Sequence, residues 1–535
     1  MSKHEFFFKI ATTADEFEQI HCLNYQTFSE EIPQHEKNEE QKLVDPFHTE
    51  NTYIICVKEN EVIGMTAIRD KRPFSLDRKI GPVEQSLSFP VHSPCEVRLL
   101  SVKKEYRNGR VFLGLAQFLI KYCLKKGYDI AFISGTVRQL KLYGQLGFQP
   151  FAYLTGTAEA RFQPMYLTKT TFDESIAGRI LPPTIPFLPG PVRISEKVMN
   201  ALSKSPISHR SDQFKEKIAK AKDILAKLVN SKYVHIFLGS GTLANDVVAG
   251  QLSLEPGRGL ILTNGEFGSR LVEQANRFGL QFDVLQKDWG HAFTRDEIVS
   301  TISSKTGWIW AVHSETSSGM LNDLGLLKEI SEQHKLKLCL DCISSLGAIE
   351  VDLEGVFLAT GVSGKAIGAL TGLSFVFHHH EVQSSLTLPK YLDLGTYMVK
   401  DSIPFSQSSN LLEALLAALD DIRRETFEKV VETHSFLKNH LKQFGFTIIS
   451  EENSSPIILT IEIPSSLSSV VIGDILFNHG YQLHYESDYL QRRNWIQIAC
   501  IDHYDKADLE KMTNLLNRVI TYEQSAKQQT LVTGI

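Results

Sequence analysis

The sequence predicts an α/β protein built as two units: a mixed α+β domain over residues 1–168, then a larger, mostly parallel sheet covered by helices. Three observations carry this. The 535-residue chain is too long for a single hydrophobic core. Five prolines fall between 182 and 191 in a stretch of little periodicity, which marks residues 169–190 as a linker. Beyond it, helix-like stretches such as "SDQFKEKIAKAKDILAKLV" alternate with short buried-strand candidates, "VHIFL", "GLILT", "WIWAVH", "LKLCLD" and "LSFVF". Alternation of that kind argues for parallel strands joined by helical crossovers.

Bulk properties narrow the function classes. The chain is 42% hydrophobic and 22% charged, an ordinary globular composition. A net charge of −6 gives no support for a nucleic-acid partner. No apolar run approaches the roughly 18–20 residues of a membrane span, and "MSKHEFFFKIATTADEF" lacks a long apolar region and a small-residue cleavage site. Seven scattered cysteines suggest free thiols and a cytoplasmic location. Cys339 and Cys342 spell C-x-x-C, but no second ligand pair stands near, so no metal is expected; "HHH" at 378–380 reads as a solvated strand end.

In the N-terminal unit, "EVRLLSV" is a strand candidate. It leads through the basic, Gly-containing "YRNGR" into an amphipathic helix, a second strand candidate "DIAFIS", and "LYGQLGF".

In the C-terminal unit, five segments follow in order. "FLGSGTLAND" runs from a strand into Gly239, Ser240, Gly241 and Thr242 before a helix; small residues there let backbone N–H groups approach a phosphate. "LTNGEFGSRL" and "VHSETSSGMLNDL" each place a Gly- and Ser/Thr-rich loop after a strand, where ligands of α/β sheets sit. In "LKLCLDCISSLGA", Asp341 ends an alternating apolar strand, a costly place for an unpaired carboxylate. Last comes Lys365, the one charged residue in "FLATGVSGKAIGALTGLSFVF". A phosphate loop, a buried aspartate and an isolated lysine together describe a pyridoxal phosphate site: the lysine forms the Schiff base and the aspartate keeps the pyridine nitrogen protonated. Surroundings poor in charge lower the lysine pKa and leave a neutral, nucleophilic amine.

From about 183 to 520 the chain resembles the class V aminotransferases, a branch of fold-type I pyridoxal phosphate enzymes, and within them the 2-aminoethylphosphonate–pyruvate and alanine–glyoxylate group. The motifs "LPGPVRISEKVMNAL", "SHRSDQF", "GSGT", "NGEFG", "HSETSSG", "DCISSLGA", "SGK" and "SPIILT" stand in the family's order. The resemblance implies a domain over 191–525, with a small α/β subdomain from about 425 and a tail at 526–535. It implies that Ser240, Gly241 and Thr242 hold the phosphate and that Phe267 stacks on the ring. Thr316 would reach the ring hydroxyl, Asp341 the ring nitrogen and Ile343 the ring face, with Lys365 as anchor and proton carrier. Gly190 would line the substrate space. Ser406 would reach the phosphate in a neighbouring subunit, implying a homodimer.

Two positions depart from the family pattern. Gly364 precedes the lysine where relatives often carry Asn or Gln, and "NWIQIACI" places Gln497 where the family usually has a carboxylate-clamping arginine. Gln497 can hydrogen-bond but not neutralise; Arg492 and Arg493 lie just upstream as substitutes.

The N-terminal unit resembles the GNAT acyltransferase superfamily, and its strand with Glu96 and Arg98 is similar to the acyl-homoserine-lactone synthase branch, which takes acyl groups from acyl carrier protein. The resemblance implies that Arg107, Gly109 and Arg110 meet the donor, acyl-CoA or acyl carrier protein, and that Tyr143, before Gly147 and Phe148, protonates the thiolate leaving group. Arg110 and Phe112 occupy positions where the superfamily's loop has glycines. Glu96 stands as either a general base or a strand-edge charge.

The combined expectation is a fusion enzyme whose aminotransferase half moves an amino group between a small-molecule donor and an aldehyde or 2-oxo acid, with a GNAT-like half able to N-acylate the product. The alternatives are a pyridoxal phosphate-dependent lyase or desulfurase, for which Cys500 is the only cysteine beyond 342, and a dimeric module whose GNAT-like half binds an acyl carrier or acyl-CoA without turnover.

Overall fold

The structure is a computed structural model that describes residues 6–32, 34–107, 109–156, 161–180 and 183–533. The first five residues, Asn108 of the basic turn, Leu181 and Pro182 of the linker, and the last two residues of the tail lie outside the described residues. The chain divides into two compact units. One comprises Met1–Ile185, Asp474–Tyr481 and Arg518–Ile535; the other comprises Pro186–Gly473 and Gln482–Asn517.

The first unit is an α+β fold around a seven-stranded sheet. Phe7–Ile10, Thr52–Lys58, Glu61–Arg69 and Pro94–Val102 run antiparallel in sequence order. Pro94–Val102 then pairs in parallel with Ile130–Thr136, but only through Pro94–Ile130, Cys95–Ala131 and Glu96–Phe132. Past Glu96 the two strands separate. The cause lies on the other edge of Pro94–Val102: Thr66 stands opposite both Leu99 and Leu100, and Leu99 takes a left-handed φ of 56°. This extra residue is a β-bulge, which bends the strand away from its parallel neighbour.

The second unit is the mostly parallel sheet expected from the alternating pattern. Its seven strands lie in the spatial order Phe282–Gln286, Arg258–Thr263, Thr306–Val312, Lys337–Asp341, Leu358–Val362, Leu373–His378 and Tyr233–Leu238. Only Leu373–His378 runs against its neighbours. Both faces are covered, so the strands read as continuous apolar runs. In Thr306–Val312, Trp308 and Trp310 pack on one face, while Ile309 and Ala311 pack on the other. Cys339 and Cys342 likewise enter opposite cores, each as a free thiol.

The helices follow from the sequence in the same manner. Asp212–Leu228 buries Phe214, Ile218, Ala221 and Leu225 on one stripe, and the Ser211 hydroxyl caps it by accepting from the Phe214 N–H at 3.3 Å. A short antiparallel pair, Ile458–Glu462 with Trp495–Ala499, lies beyond the main sheet.

A fully buried lysine in the first unit is held by two carboxylates. Lys9 has no exposed surface, and its ammonium meets Glu16 at 2.8 Å and Glu523 at 2.5 Å. Burial raises the Glu16 carboxyl, but Lys9 and the N–H groups of Thr12 and Thr13 outweigh it and hold it below the usual range. A depressed folded pKa means that the Glu16 contribution is present above the unfolded carboxylate value of about 4.3 and is lost as pH falls below it. Lys9→Met leaves two buried carboxylates without a cation, which is expected to cost about 3–5 kcal/mol. Those carboxylates would then prefer to be protonated, so the penalty should shrink at acid pH. Denaturant unfolding of the full chain at pH 5 and pH 8 checks this: the variant's deficit should be larger at pH 8.

Candidate active site

The carboxyl ends of the parallel strands in the second unit converge on a cavity of about 460 Å³. Its lining includes Gly190, Ser240, Gly241, Phe267, Thr316, Ile343 and Lys365, each singled out in the sequence. Residues as far apart in the chain as Gly190 and Lys365 thus share one cavity, because crossovers return all the strands but Leu373–His378 in the same direction.

Asp341 is the last residue of its strand and only 6% exposed. Its carboxylate accepts from the Asn245 amide at 2.8 Å and from the Ile343 N–H at 2.9 Å. Asn245 is oriented in turn by the Thr360 hydroxyl, which donates to its Oδ1 at 2.9 Å. Burial pushes the Asp341 carboxyl up, and the Asn245 and Ile343 hydrogen bonds and the Lys365 charge pull the other way. Lys365 donates to the Ser344 hydroxyl at 2.8 Å and stands 5.5 Å from the centre of the Phe267 ring. Burial pulls the Lys365 ammonium down, and Asp341 and Glu315 only partly oppose this. The neutral amine is therefore favoured relative to a lysine in water.

The helix Gly241–Leu252 starts on the cavity, with Ser240 at its N-cap and no side-chain cap hydrogen bond. Its first N–H groups are thus free of a side-chain acceptor, as an anion site requires. A Cβ on Gly241 would stand 2.5 Å from Ile343 Cδ1, so only glycine lets the turn approach that side chain. Gly190 needs glycine for a different reason, its φ of 149°. These features fit pyridoxal phosphate: an anion cradle, a buried carboxylate with acceptor capacity left for a cationic ring nitrogen, apolar side chains flanking the space between them, and an amine of lowered basicity.

Other predicted residues sit elsewhere. Thr242 is exposed in the first helical turn and does not line the cavity. Ser406 is exposed on the segment before the helix Ser409–Leu419, also outside this chain's cavity. Arg492 is exposed and turned to the Asp488 carbonyl, while Arg493 lies over Trp289, 3.6 Å from its ring centre. Neither arginine lines the cavity. Gln497 is fully buried; its Nε2 donates to the carbonyls of Thr316 and Ser317 and to Thr460 Oγ1, and its Oε1 lies 2.9 Å from His484 Nδ1. Cys500 is buried just past the same strand, and burial pushes its thiol well up, the opposite of what a nucleophilic cysteine needs.

Several functional positions were missed by sequence reasoning. Glu315, with no exposed surface, accepts from the Gly268 N–H at 2.9 Å and from Ser317, and so anchors the turn carrying Phe267. A Cβ on Gly265 would stand 2.4 Å from Glu315 Cγ and Cδ, which explains that glycine. Glu315 had a signal, a lone carboxylate among small residues, the same cue that singled out Lys365. Asn245, Ser344, Arg270, His484, Ser487 and Tyr489 had none, since only tertiary packing gives them their neighbours.

The first unit has a cavity of about 400 Å³ where Pro94–Val102 and Ile130–Thr136 part. Val97, Leu100, Phe112, Leu119, Ile133 and Phe148 supply apolar wall, and Asp45, Glu96 and Arg98 a charged end. Glu96 accepts from the Ser75 N–H, the Ser75 hydroxyl and the Leu76 N–H at 2.7–2.9 Å. Arg98 grips Asp45 through two bonds of 3.0 Å. Tyr143 also lines the cavity, and burial raises its pKa. Gly109, with φ 89°, caps the helix Arg110–Lys126, which Arg110 begins; Arg107 turns back to the Val102 carbonyl and Glu31.

Comparison with known proteins agrees with both geometries. A family model described as "Aminotransferase class-V" matches residues 194–413, and one described as "Acetyltransferase (GNAT) domain" matches residues 23–117. A protein of Anabaena cylindrica named soluble hydrogenase 42 kDa subunit is 31% identical over 299 residues, 52% of this chain and 78% of the relative. The 2-aminoethylphosphonate–pyruvate transaminase of Phocaeicola vulgatus is 25% identical over 304 residues, 53% of this chain and 84% of that protein. The crystal structure of a subgroup IV aspartate aminotransferase from Thermus thermophilus has the same fold, with a TM-score of 0.58 and 23% identity over 63% of this chain and 99% of that one. Likeness that extends from the fold to sequence, along most of a relative's length, reflects common descent: the chain belongs to the class V aminotransferase family, with a GNAT domain N-terminal to it.

Proposed function

We propose that the aminotransferase half moves an amino group between a small amine donor and an aldehyde or 2-oxo acid, and that the GNAT half then acylates the amine so formed. The observation that carries the first part is the cavity that joins Lys365 to the N-terminus of the helix Gly241–Leu252, with Asp341 bonded to the backbone of the lining residue Ile343.

Pyridoxal phosphate, the cofactor expected in this family, supplies an electron sink that lets a C–H bond beside the amine ionise. Ser240, Gly241 and Thr242 would hold its phosphate, Phe267 and Ile343 its ring faces, Thr316 its hydroxyl and Asp341 its ring nitrogen. Lys365 would anchor it. Lys365 Nζ would also carry the proton at the substrate carbon, a task suited to an amine of lowered pKa. The exposed position of Ser406 supports a homodimer in which it serves the neighbouring copy's phosphate. Free cysteines throughout the described chain support a cytoplasmic location, and among the described residues no helix is long and apolar enough to cross a membrane.

For the GNAT half, the apolar wall of the first unit's cavity supports an acyl donor, acyl-CoA or acyl carrier protein, with Arg107, Gly109 and Arg110 at the donor's polar end. Tyr143 keeps its proton because burial raises its pKa, so its hydroxyl can protonate the departing thiolate. Transamination creates a primary amine and GNAT chemistry consumes one. Covalent linkage keeps the two domains in one particle, at an effective concentration of one for the other that reaches about the mM range.

Lys365→Ala is expected to abolish covalent cofactor attachment: borohydride reduction followed by mass spectrometry should fix cofactor on the wild type and none on the variant. Asp341→Asn should retain cofactor yet lose about 10²–10⁴-fold in kcat, because the ring nitrogen loses its anionic partner. For the coupled reaction, wild type is compared with an equimolar mixture of Lys365→Ala and Tyr143→Phe chains, all given carbonyl acceptor, amino donor and acyl donor. Wild type should form the N-acylated product faster. Equal rates would mean that the halves act separately.

A further inference from the structure

The cavity's substrate side lacks an arginine at position 497, and the geometry around Gln497 indicates what replaces it. The two hydrogens of Gln497 Nε2 are shared among three acceptors: Thr316 O at 2.6 Å, Ser317 O at 3.0 Å and Thr460 Oγ1 at 2.8 Å. Its Oε1 must therefore be the atom facing His484 Nδ1 at 2.9 Å. An amide oxygen only accepts, so Nδ1 of His484 carries the proton and donates. In the neutral ring Nε2 is then an acceptor, and it takes the Ser487 hydroxyl at 2.7 Å. His484, Ser487 and Tyr489 all line the cavity, whereas Gln497 does not. Burial lowers the His484 pKa, and Lys365 adds to this, against the Gln497 hydrogen bond and Glu486, which raise it; the net direction is down.

The remaining cation on the lining apart from Lys365 is Arg270. It lies at the exposed rim, over Phe267 at 5.0 Å, with Glu266 Oε1 3.3 Å from its guanidinium. Its charge is screened by solvent and offset by that carboxylate. The buried substrate wall is thus uncharged, and its polar atoms are an acceptor nitrogen beside hydroxyls. A substrate hydroxyl matches this pair: it can donate to His484 Nε2 in place of Ser487 and accept from Ser487 in return. A carboxylate matches it poorly, since it cannot donate to Nε2 and, apart from Lys365, meets no buried cation on the lining.

We propose that His484 and Ser487 are the specificity-determining pair of the transamination site, that Gln497 is the positioning residue that fixes the histidine tautomer, and that the preferred amine carries a hydroxyl, not a carboxylate, next to the reacting carbon. This rests on the transaminase reading above and names the substrate class for that site.

The test uses the full-length, cofactor-loaded chain and three amines of similar size: 1-amino-2-propanol, propylamine and alanine. Single-turnover conversion, followed by cofactor absorbance, should favour the amino alcohol by tenfold or more over both others. His484→Leu should lower its use about 10–100-fold, mainly through apparent affinity, to the level of propylamine. His484→Gln, whose side-chain oxygen can again accept, should recover much of the loss, and Ser487→Ala should narrow the preference. Fast use of alanine that Arg270→Gln abolishes would overturn the proposal, because the rim arginine would then be reading a carboxylate. An equal fall for all three amines in His484→Leu would also overturn it, by reducing His484 to a structural role.

A readout independent of turnover is the ¹⁵N resonance of His484, assigned by its loss in His484→Gln. It should show protonated Nδ1 and acceptor Nε2 at neutral pH, and Nε2 should shift on adding 1,2-propanediol but not propionate. A protonated Nε2, or a response to propionate alone, refutes the inference. If no amine is converted at all while the diol still shifts Nε2, the transaminase reading fails and the recognition wall stands.

Discussion

The carboxylate of Asp341, shut off from water at the end of a central strand, sets the terms for the second unit. A charge in that place is tolerated only where neighbours donate to it, and the structure spends Asn245, oriented by Thr360, and the Ile343 N–H on that task. Those donors only partly offset burial, which still raises the carboxyl's pKa, and a cationic ring nitrogen would oppose that rise. Lys365 shares the same dry surroundings, so one act of burial makes the aspartate demand a cation and makes the lysine a better base. The sheet direction is what makes this placement available: parallel strands end together, and side chains from their ends, the loops after them and the helix Gly241–Leu252 meet there.

Around that pair, second-layer contacts decide what the cavity can accept. Glu315 holds the Phe267 turn, and Gln497 holds His484. Each is a buried polar side chain whose hydrogen bonds are spent on backbone and on neighbouring side chains, which is how a cavity wall is made rigid without being made reactive. A glutamine at position 497 is therefore more than a missing arginine. It turns a charge-reading wall into one that reads hydrogen-bond direction, and it couples the small pair Ile458–Glu462 and Trp495–Ala499 to the loop carrying Thr316.

The first unit reaches its cavity by a different route. There a single extra residue at Leu99–Leu100 bends one strand and parts it from the next, opening space that apolar side chains line and a buried Glu96–Arg98–Asp45 group closes at one end. Each member of that group has hydrogen-bonding partners, so the charges persist beside an apolar wall.

The sequence by itself determined the fold class of the second unit, because strands buried on both faces must be apolar throughout and their helical crossovers must be amphipathic. It also singled out Lys365, Asp341 and the Ser240–Gly241 turn as candidates, since each breaks its local pattern and the three together describe a cofactor site: a charge among small residues, a carboxylate at an apolar strand end, a run of small residues before a helix. The motif order then extended that reading to Phe267, Thr316 and Ile343. What only the tertiary structure decided were the partners. Nothing local distinguishes Asn245 from any helical asparagine, or His484 from any loop histidine. Their roles come from contacts at 96 residues' separation in one case and through a buried glutamine in the other. The bulge at Leu99 was equally silent, because it depends on register with a neighbouring strand and not on residue type. Residue type sets what a side chain can do; the direction of its hydrogen bonds, which sets what it does, is fixed only when distant strands close around it.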